Sequence, residues 1–281
     1  MIKTNYHSHS SFCDGEGRLE AYVEYALSQH MQALGFSGHA PLPFPNAWTM
    51  DEEALSLYLG EAQHLKELYR GRIELYTGLE IDYLDETHNP AHSYYEALEL
   101  DYRIGSVHML PDPENGEFYS VDGPTDEIEH LLDKVYEGSA EKMITAYYRQ
   151  LQNMVRIGGF DFIGHLDLVK KQNRNMAFFS EKEEWYQDLI TGVLDTISVY
   201  GRMVEVNTGA IARGYTDEPY PSPWILKMCL ERNIPIILNS DAHKPSWVDF
   251  GFDEARKIIA EAGYSRGMAL LQGKWQEVQY A

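Results

Sequence analysis

Cysteine is scarce in this chain of 281 residues: there are two, Cys13 and Cys229, and neither belongs to a C-x-x-C pair. That excludes a disulfide scaffold, and a reducing, cytoplasmic setting is the simplest expectation. Positive charge is scarce as well. Lys and Arg number 23 against 44 Asp and Glu, a formal net charge of -21. Polynucleotides and anionic membranes are gripped chiefly by Lys and Arg, so this balance argues against both as partners. It leaves room for a small phosphate ester held locally by metal or by a few cations. No run of about 18 apolar residues offers a membrane span. The stretch MIKTNYHSHSSF lacks the apolar centre of a secretory signal. Two signatures are missing too: the G-x-S-x-G elbow of serine hydrolases and the G-x-x-x-x-G-K-[ST] phosphate loop.

What is present is ordinary material for a folded core, with 44% hydrophobic and 24% charged residues. Short runs rich in β-branched and aromatic residues predict strands near 2–7, 34–38, 73–82, 102–108, 160–165, 202–207 and 234–240. Between them lie helical spacings, such as Leu55, Leu59, Ala62, Leu65 and Leu68, or Ile144, Tyr147, Tyr148, Leu151 and Val155. The segment 180–200 predicts a helix capped by Ser180, with Glu183 three residues on. Seven strands alternating with helices predict a parallel α/β architecture, either a barrel or an open wound sheet. The segment 111–125, PDPENGEFYSVDGPT, reads as a loop over one mouth of the fold, and 212–223 as a second irregular stretch. No domain boundary stands out, so residues 1–281 are read as a single domain.

The strands carry metal-competent residues at their C-terminal ends. His7, His9 and Asp14 follow the first, His39 the second, and Glu80 lies on the third. His108 follows the fourth, His165 and Asp167 the fifth, and Asp241 and His243 the seventh, while Glu205 and Asn207 lie on the sixth. In a barrel these ends form one face. Imidazole and carboxylate together suit Zn, Fe or Mn, and a bridging carboxylate can hold two ions. Taken singly, His39 or His108 reads equally well as a hydrogen-bonded structural residue, and Asp14 as an Asx turn. Those readings weaken when six of seven strands end in a candidate ligand. The remaining histidines, His30, His64, His88, His92 and His130, follow no such pattern and read as surface residues.

The motifs HSHSSFCD, FSGHAP, GLEID, GSVH, GHLDL, EVNTG and NSDAH, in this order, resemble the polymerase and histidinol phosphatase (PHP) family of metal-dependent phosphoesterases. The resemblance runs nearly end to end and is strongest to the stand-alone histidinol-phosphatase branch. It implies a distorted (β/α)7 TIM-like barrel and a centre of three divalent metal ions, Zn, Fe or Mn. One metal would be held by His7, His9, Glu80 and Asp241. A second would take Glu80, His108 and His165, and a third Asp14, His39 and His243. Many relatives carry His where Asp14 stands, so the third position is more anionic here.

The chemistry expected of such a centre is phosphomonoester hydrolysis by a hydroxide bridging two metals, with Glu80 as the bridging carboxylate. Arg213, in NTGAIARGY, is the first candidate for a phosphate fork, with Lys171 and Arg174 behind it. Asp167 would either protonate the leaving group or orient His165. Glu205 and Asn207 would support the cup. The resemblance implies L-histidinol phosphate as substrate and histidine biosynthesis as context. Some of Asp112, Glu114, Glu117, Phe118 and Tyr119 are expected to read its non-phosphate end. Two other readings compete: a PHP phosphoesterase acting on a nucleotide monophosphate or oligonucleotide end, and a non-catalytic metal-stabilised module. The charge of -21 counts against the former, and the complete ligand set against the latter.

Overall fold

The computed structural model describes residues 2–173 and 177–280. The strands, in chain order, are β1 (Thr4–Asn5), β2 (Ala33–Phe36), β3 (Glu74–Asp82), β4 (Tyr102–Ser106), β5 (Met109–Pro111) and β6 (Phe118–Ser120). They continue with β7 (Phe162–Ile163), β8 (Met203–Asn207), β9 (Ile236–Asn239), β10 (Arg266–Leu271) and β11 (Lys274–Gln279). Seven of these form one sheet in the order β1-β2-β3-β4-β7-β8-β9, every neighbouring pair parallel. The remaining seam closes just beyond the strands. His9 N donates to the Ala242 carbonyl at 2.8 Å, and Ala242 N to the His7 carbonyl at 3.0 Å. Below that point side-chain amides replace a ladder: Asn239 Oδ1 accepts from Tyr6 N at 2.8 Å and Asn5 Oδ1 from Ser240 N at 2.9 Å. The sheet is a barrel, not an open wound sheet.

The helices are α1 (Leu19–Ser28), α2 (Glu52–Leu68), α3 (Ser93–Glu96), α4 (Thr125–His130) and α5 (Ala140–Ile157), followed by α6 (Glu184–Val199), α7 (Gly209–Ala212), α8 (Pro223–Glu231) and α9 (Phe252–Glu261). Helix α5 shows the local logic. Ser139 caps it by accepting from Lys142 N. Its apolar stripe, from Met143 through Tyr147 and Leu151 to Val155, is buried, and Gly158 ends it with φ of 80°. Helix α6 begins later than expected. Its cap position is Glu183, whose side chain instead accepts from Ser180 N at 2.8 Å.

Inside the barrel, strand alternation decides what lies where. Tyr76, Gly78, Glu80 and Asp82 share one face of β3, and Tyr102, Ile104 and Ser106 one face of β4. The lower residues of each series join Tyr6, Phe162, Ile237 and Leu270 in an apolar floor. Tyr102 fills its centre, donating to the carbonyls of Tyr6 and Phe36 at 2.7 and 2.9 Å. Gly78 is required beside it, because a Cβ there would lie 2.6 Å from the ring. The antiparallel hairpin β10–β11 closes this end, with Trp275 5.6 Å from Tyr6 and 6.0 Å from Phe162, centroid to centroid. The upper residues of the same strands face the opposite mouth.

Two elements differ from the sequence reading. The segment expected as a loop forms part of a hairpin, β5–β6, with Leu110 paired to Tyr119. Three-residue strands around the turn PENG are too short for an alternation signal. The β10–β11 hairpin was not anticipated: β10, RGMALL, is a short apolar run buried on both faces and so shows no alternation, and β11, KWQEVQ, is mostly polar. No helix among the described residues is long and apolar enough to cross a membrane.

Candidate metal centre

The upper mouth of the barrel gathers the strand-end residues around Glu80, whose side chain is 1% exposed. Its Oε2 lies 3.2 Å from His7 Nε2, 3.4 Å from His9 Nε2 and 3.0 Å from His39 Nδ1. Its Oε1 lies 2.8 Å from His165 Nε2 and 3.5 Å from His108 Nε2. Asp241 Oδ1 stands 3.3 Å from His9 Nε2 and 3.8 Å from His7 Nε2. Towards solvent, Asp14 approaches His243 Nε2 at 3.2 Å and His39 Nε2 at 3.7 Å. All nine residues singled out as ligands therefore meet in one constellation. Within it, His9, Asp14, His39 and His243 form one group able to hold an ion. His7–His9–Asp241, His7–Glu80–His165 and His39–Glu80–His108 form three more, overlapping groups.

The donor set passes a chemical test for cations. His7 Nε2, His9 Nε2, His39 Nδ1, Glu80 Oε2 and His165 Nδ1 are all buried without a hydrogen-bond partner among the described residues. Orphaned polar atoms at this density would cost several kcal/mol in total. Four of them, those of His7, His9, His39 and Glu80, converge, and their N and O donors are those that divalent transition metals prefer.

Electrostatics follow from the same crowding. Burial disfavours the Glu80 carboxylate, but His7, His39 and His108 outweigh it and hold the group well below the usual carboxylate range. Asp241 is likewise held well below that range, against burial, by Arg213 and His7. Burial, then His39 and His243, lower the His9 imidazole to about 3, which leaves a lone pair available near neutrality. His108 goes the other way, to about 10: burial opposes the charge, and Asp82 and Glu80 overcome it.

Outer partners fix the ligand rings. Glu205 is fully buried and accepts from His7 Nδ1 at 2.7 Å, His165 N at 2.9 Å, Asn207 Nδ2 at 2.8 Å and Asn239 Nδ2 at 3.0 Å. Asn207 itself accepts from Gly209 N at 2.8 Å. Asp82, which the sequence reading missed, accepts from His108 Nδ1 at 2.8 Å, and Ser106 Oγ donates to Glu80 Oε1 at 2.7 Å. Two site residues, His165 at φ of 22° and Asp241 at 49°, sit in the left-handed region, a strain of about 1–3 kcal/mol each that the surrounding bonds must hold.

Above the centre opens a cavity of about 730 Å³. Arg213 lines it, with one nitrogen 2.9 Å from Asp241 Oδ2 and the other 2.7 Å from His243 Nδ1. Gly209 makes that approach possible, since a Cβ there would stand 2.8 Å from Asp241 Oδ2. Lys171 also lines the cavity, paired to Asp122 at 2.7 Å and lying over the Tyr215 ring at 4.9 Å. Phe44, Trp48, Phe118 and Tyr119 supply an aromatic wall, with Phe44 stacked on Phe118 at 5.7 Å.

Some expectations require correction. Asp167 does not orient His165 and does not line the cavity. Its carboxylate accepts from Ser222 N at 2.9 Å and pairs with Lys170 at 2.9 Å, away from the cup. Asp112 is buried and tied to His130 at 3.1 Å, while Glu114 and Glu117 lie at the hairpin turn, outside the cavity lining. The carboxylates that do line the aromatic half are Asp122 and Glu127. Of the background histidines, His30, His64 and His92 are exposed, whereas His88 and His130 are half-buried. Arg174 lies outside the described residues.

Comparison with known proteins adds context to this geometry. The PHP domain family matches residues 5–209. A "Probable histidinol-phosphatase" of Deinococcus radiodurans is 30% identical over 260 residues, 92% of each chain. The "Histidinol-phosphatase" of Bacillus subtilis is 27% identical over 268 residues, 90% of this chain and 98% of its own. A histidinol phosphate phosphatase from Lactococcus lactis, solved with zinc, L-histidinol and phosphate, shares the fold at a TM-score of 0.73 and 21% identity, over 98% of each chain.

Proposed function

The chain belongs to the PHP domain family, and from that membership we propose that it is a metal-dependent phosphomonoesterase hydrolysing L-histidinol phosphate to L-histidinol and phosphate, a step of histidine biosynthesis. The observation that carries the chemistry is the set of buried, unpartnered nitrogen and oxygen atoms around Glu80 on the floor of an open cavity. The substrate rests on the relatives named for it, which match this chain over nine-tenths of its length. The whole chain is one catalytic domain, and its soluble substrate needs neither nucleic acid nor membrane.

Three divalent ions, from Zn, Fe and Mn, complete the site in this reading. His7, His9, Glu80 and Asp241 would hold one, Glu80, His108 and His165 a second, and Asp14, His39 and His243 a third. When bound, such ions activate water, neutralise the phosphate oxygens and stabilise charge in the transition state. The chain's own residues prepare the rest. Glu205 and Asp82 hold the rings of His7 and His108 in one orientation, so little reorganisation accompanies binding. Arg213 offers a permanently charged fork at the rim, where a phosphate oxygen can replace one of its present partners. Lys171, neutralised by Asp122, is the weaker phosphate contact. The aromatic wall and the carboxylate of Glu127 suit a cationic, imidazole-bearing body.

The test is steady-state kinetics with metal-reconstituted protein against histidinol phosphate, nucleoside monophosphates and sugar phosphates. A kcat/KM for histidinol phosphate at least about 100-fold above the others, some 2.7 kcal/mol of transition-state discrimination, is expected. Equal rates across the panel would reject the substrate, and a preference for nucleotides would replace it.

A further inference from the structure

One wall of the cavity is held from behind. Tyr119 lines it, on β6 opposite Leu110 of β5. The ring of His130, the last residue of α4, is stacked on one face of Tyr119, with centroids 4.0 Å and planes 25° apart. His130 does not line the cavity itself. Its Nε2 lies 3.1 Å from Asp112 Oδ2. Asp112 is buried just beyond β5, and its other oxygen accepts from Glu114 N at 2.9 Å. The Tyr119 hydroxyl is fixed as well, donating to Glu117 Oε2 at 2.9 Å and accepting from Asn115 Nδ2 at 3.2 Å. Ring and hydroxyl are thus held by residues outside the cavity, and the rest of the ring is what a ligand meets.

Helix α4 fastens the hairpin a second time. Glu127 stands one turn before His130, on the same side of the helix, and accepts from Ser120 N at 2.7 Å. At the other end Val121 N donates to the His108 carbonyl at 2.8 Å, so the wall is tied directly to the metal centre. Strands of three residues cannot hold an aromatic ring in place by themselves. The contacts from α4 supply that support.

We propose that His130, held by Asp112, is a positioning residue for the non-phosphate end of the substrate: it fixes the Tyr119 ring as a preformed wall for the imidazole of histidinol phosphate. The proposal rests on the substrate reading above. A ring ordered before binding removes that ordering cost from the association. The wall meets the part of the substrate that does not react. Its contribution is the same before and in the transition state, and it falls on KM rather than on kcat.

The experiment is steady-state kinetics of metal-reconstituted protein with histidinol phosphate, and with inorganic phosphate as competing inhibitor to report on the metal and Arg213 half. His130→Ala should raise KM about three- to tenfold, the scale of one aromatic pair. Its kcat and its inhibition constant for phosphate should stay within about twofold of the parent. His130→Gln, which can still reach Asp112 but has no ring, should behave like His130→Ala. Tyr119→Ala should raise KM at least as far, and adding His130→Ala to it should change nothing further, because the two act as one unit. An unmoved KM, a loss in kcat or in phosphate inhibition to match the rise in KM, full rescue by Gln, or additive effects in the double variant would overturn the proposal. The two readings fail separately. A parent protein that ignores histidinol phosphate rejects the substrate, whereas one that hydrolyses it with the same KM as His130→Ala rejects the positioning role alone.

Discussion

The floor and the cup of this barrel are built from the same strands, on the same inward face, a few residues apart. On β4 the series runs Tyr102, Ile104 and Ser106, and His108 follows just beyond the strand end. At the bottom each side chain finds a partner: Tyr102 satisfies its hydroxyl on two carbonyls and packs against Phe162 at 6.1 Å. At the top the pattern inverts, with donor atoms buried and unpartnered, two residues in left-handed backbone, and like charges close together. The floor is arranged for stability. The cup is held against it, and the floor together with the closing hairpin β10–β11 supplies the rigidity that makes this possible.

The hardest test of that contrast is Glu80→Gln. It preserves volume and removes the charge that links the donor groups, so kcat/KM should fall by about 10²–10³-fold or more, with lost zinc, beyond any fall in melting temperature. If activity fell only in proportion to folded protein, Glu80 would be part of the floor in all but position. Its counterpart is Phe162→Ala. Removing a fully buried ring should cost about 3–5 kcal/mol in denaturant unfolding while kcat/KM per folded molecule stays within about twofold. A catalytic loss larger than the stability loss would mean that floor and cup are coupled. Asp82→Asn falls between. It keeps the ring of His108 in place but weakens it as a donor, and should cost about 10–100-fold in zinc affinity or kcat/KM. An unchanged zinc titration would reduce Asp82 to packing.

How much of this was legible beforehand differs between the two regions for physical reasons. The seven barrel strands are visible because fully buried strands are short apolar runs, and the nine cup residues because strand ends converge in a barrel. Asp82 was equally legible in principle, two residues beyond Glu80 and thus on the same face. It was hidden by its neighbour's stronger signal. Asp167 was misread because strand-end position does not fix side-chain direction. Beyond β7 the chain turns into a short helical segment, and Lys170, one turn on, captures the carboxylate together with Ser222. The pairing of Arg213 with His243 could not be read at all, since it joins residues 30 apart through a close approach to Asp241 that a Cβ at Gly209 would crowd. The closing hairpin β10–β11 escaped notice because β10 is an apolar run without alternation, buried on both faces, and β11 is mostly polar.

The pair Asp122–Lys171 sits where the two regions meet, at the rim of the cavity, and its pH dependence says to which it belongs. Burial raises the Asp122 carboxyl, but Lys171 and then His108 outweigh it, so the group lies below its ordinary range in the folded chain. A carboxyl lowered by folding stabilises above its unfolded value, near 4, and that contribution disappears as pH falls towards the folded value. Asp122→Asn should therefore be less stable than the parent by about 1 kcal/mol at pH 7, or about 2 °C in melting temperature. The difference should shrink progressively below about pH 4. A stability difference with KM for histidinol phosphate unchanged would place the pair with the floor, as a brace between the hairpin side and the turn after β7. Melting curves that coincide at every pH, with KM raised several-fold, would place Asp122 in the cup as a contact for the cationic end of the substrate. The 2.7 Å ion pair, with both side chains less than a fifth exposed, favours the brace. Lys171 already neutralises this carboxylate, which leaves Glu127 as the better partner for a cationic substrate.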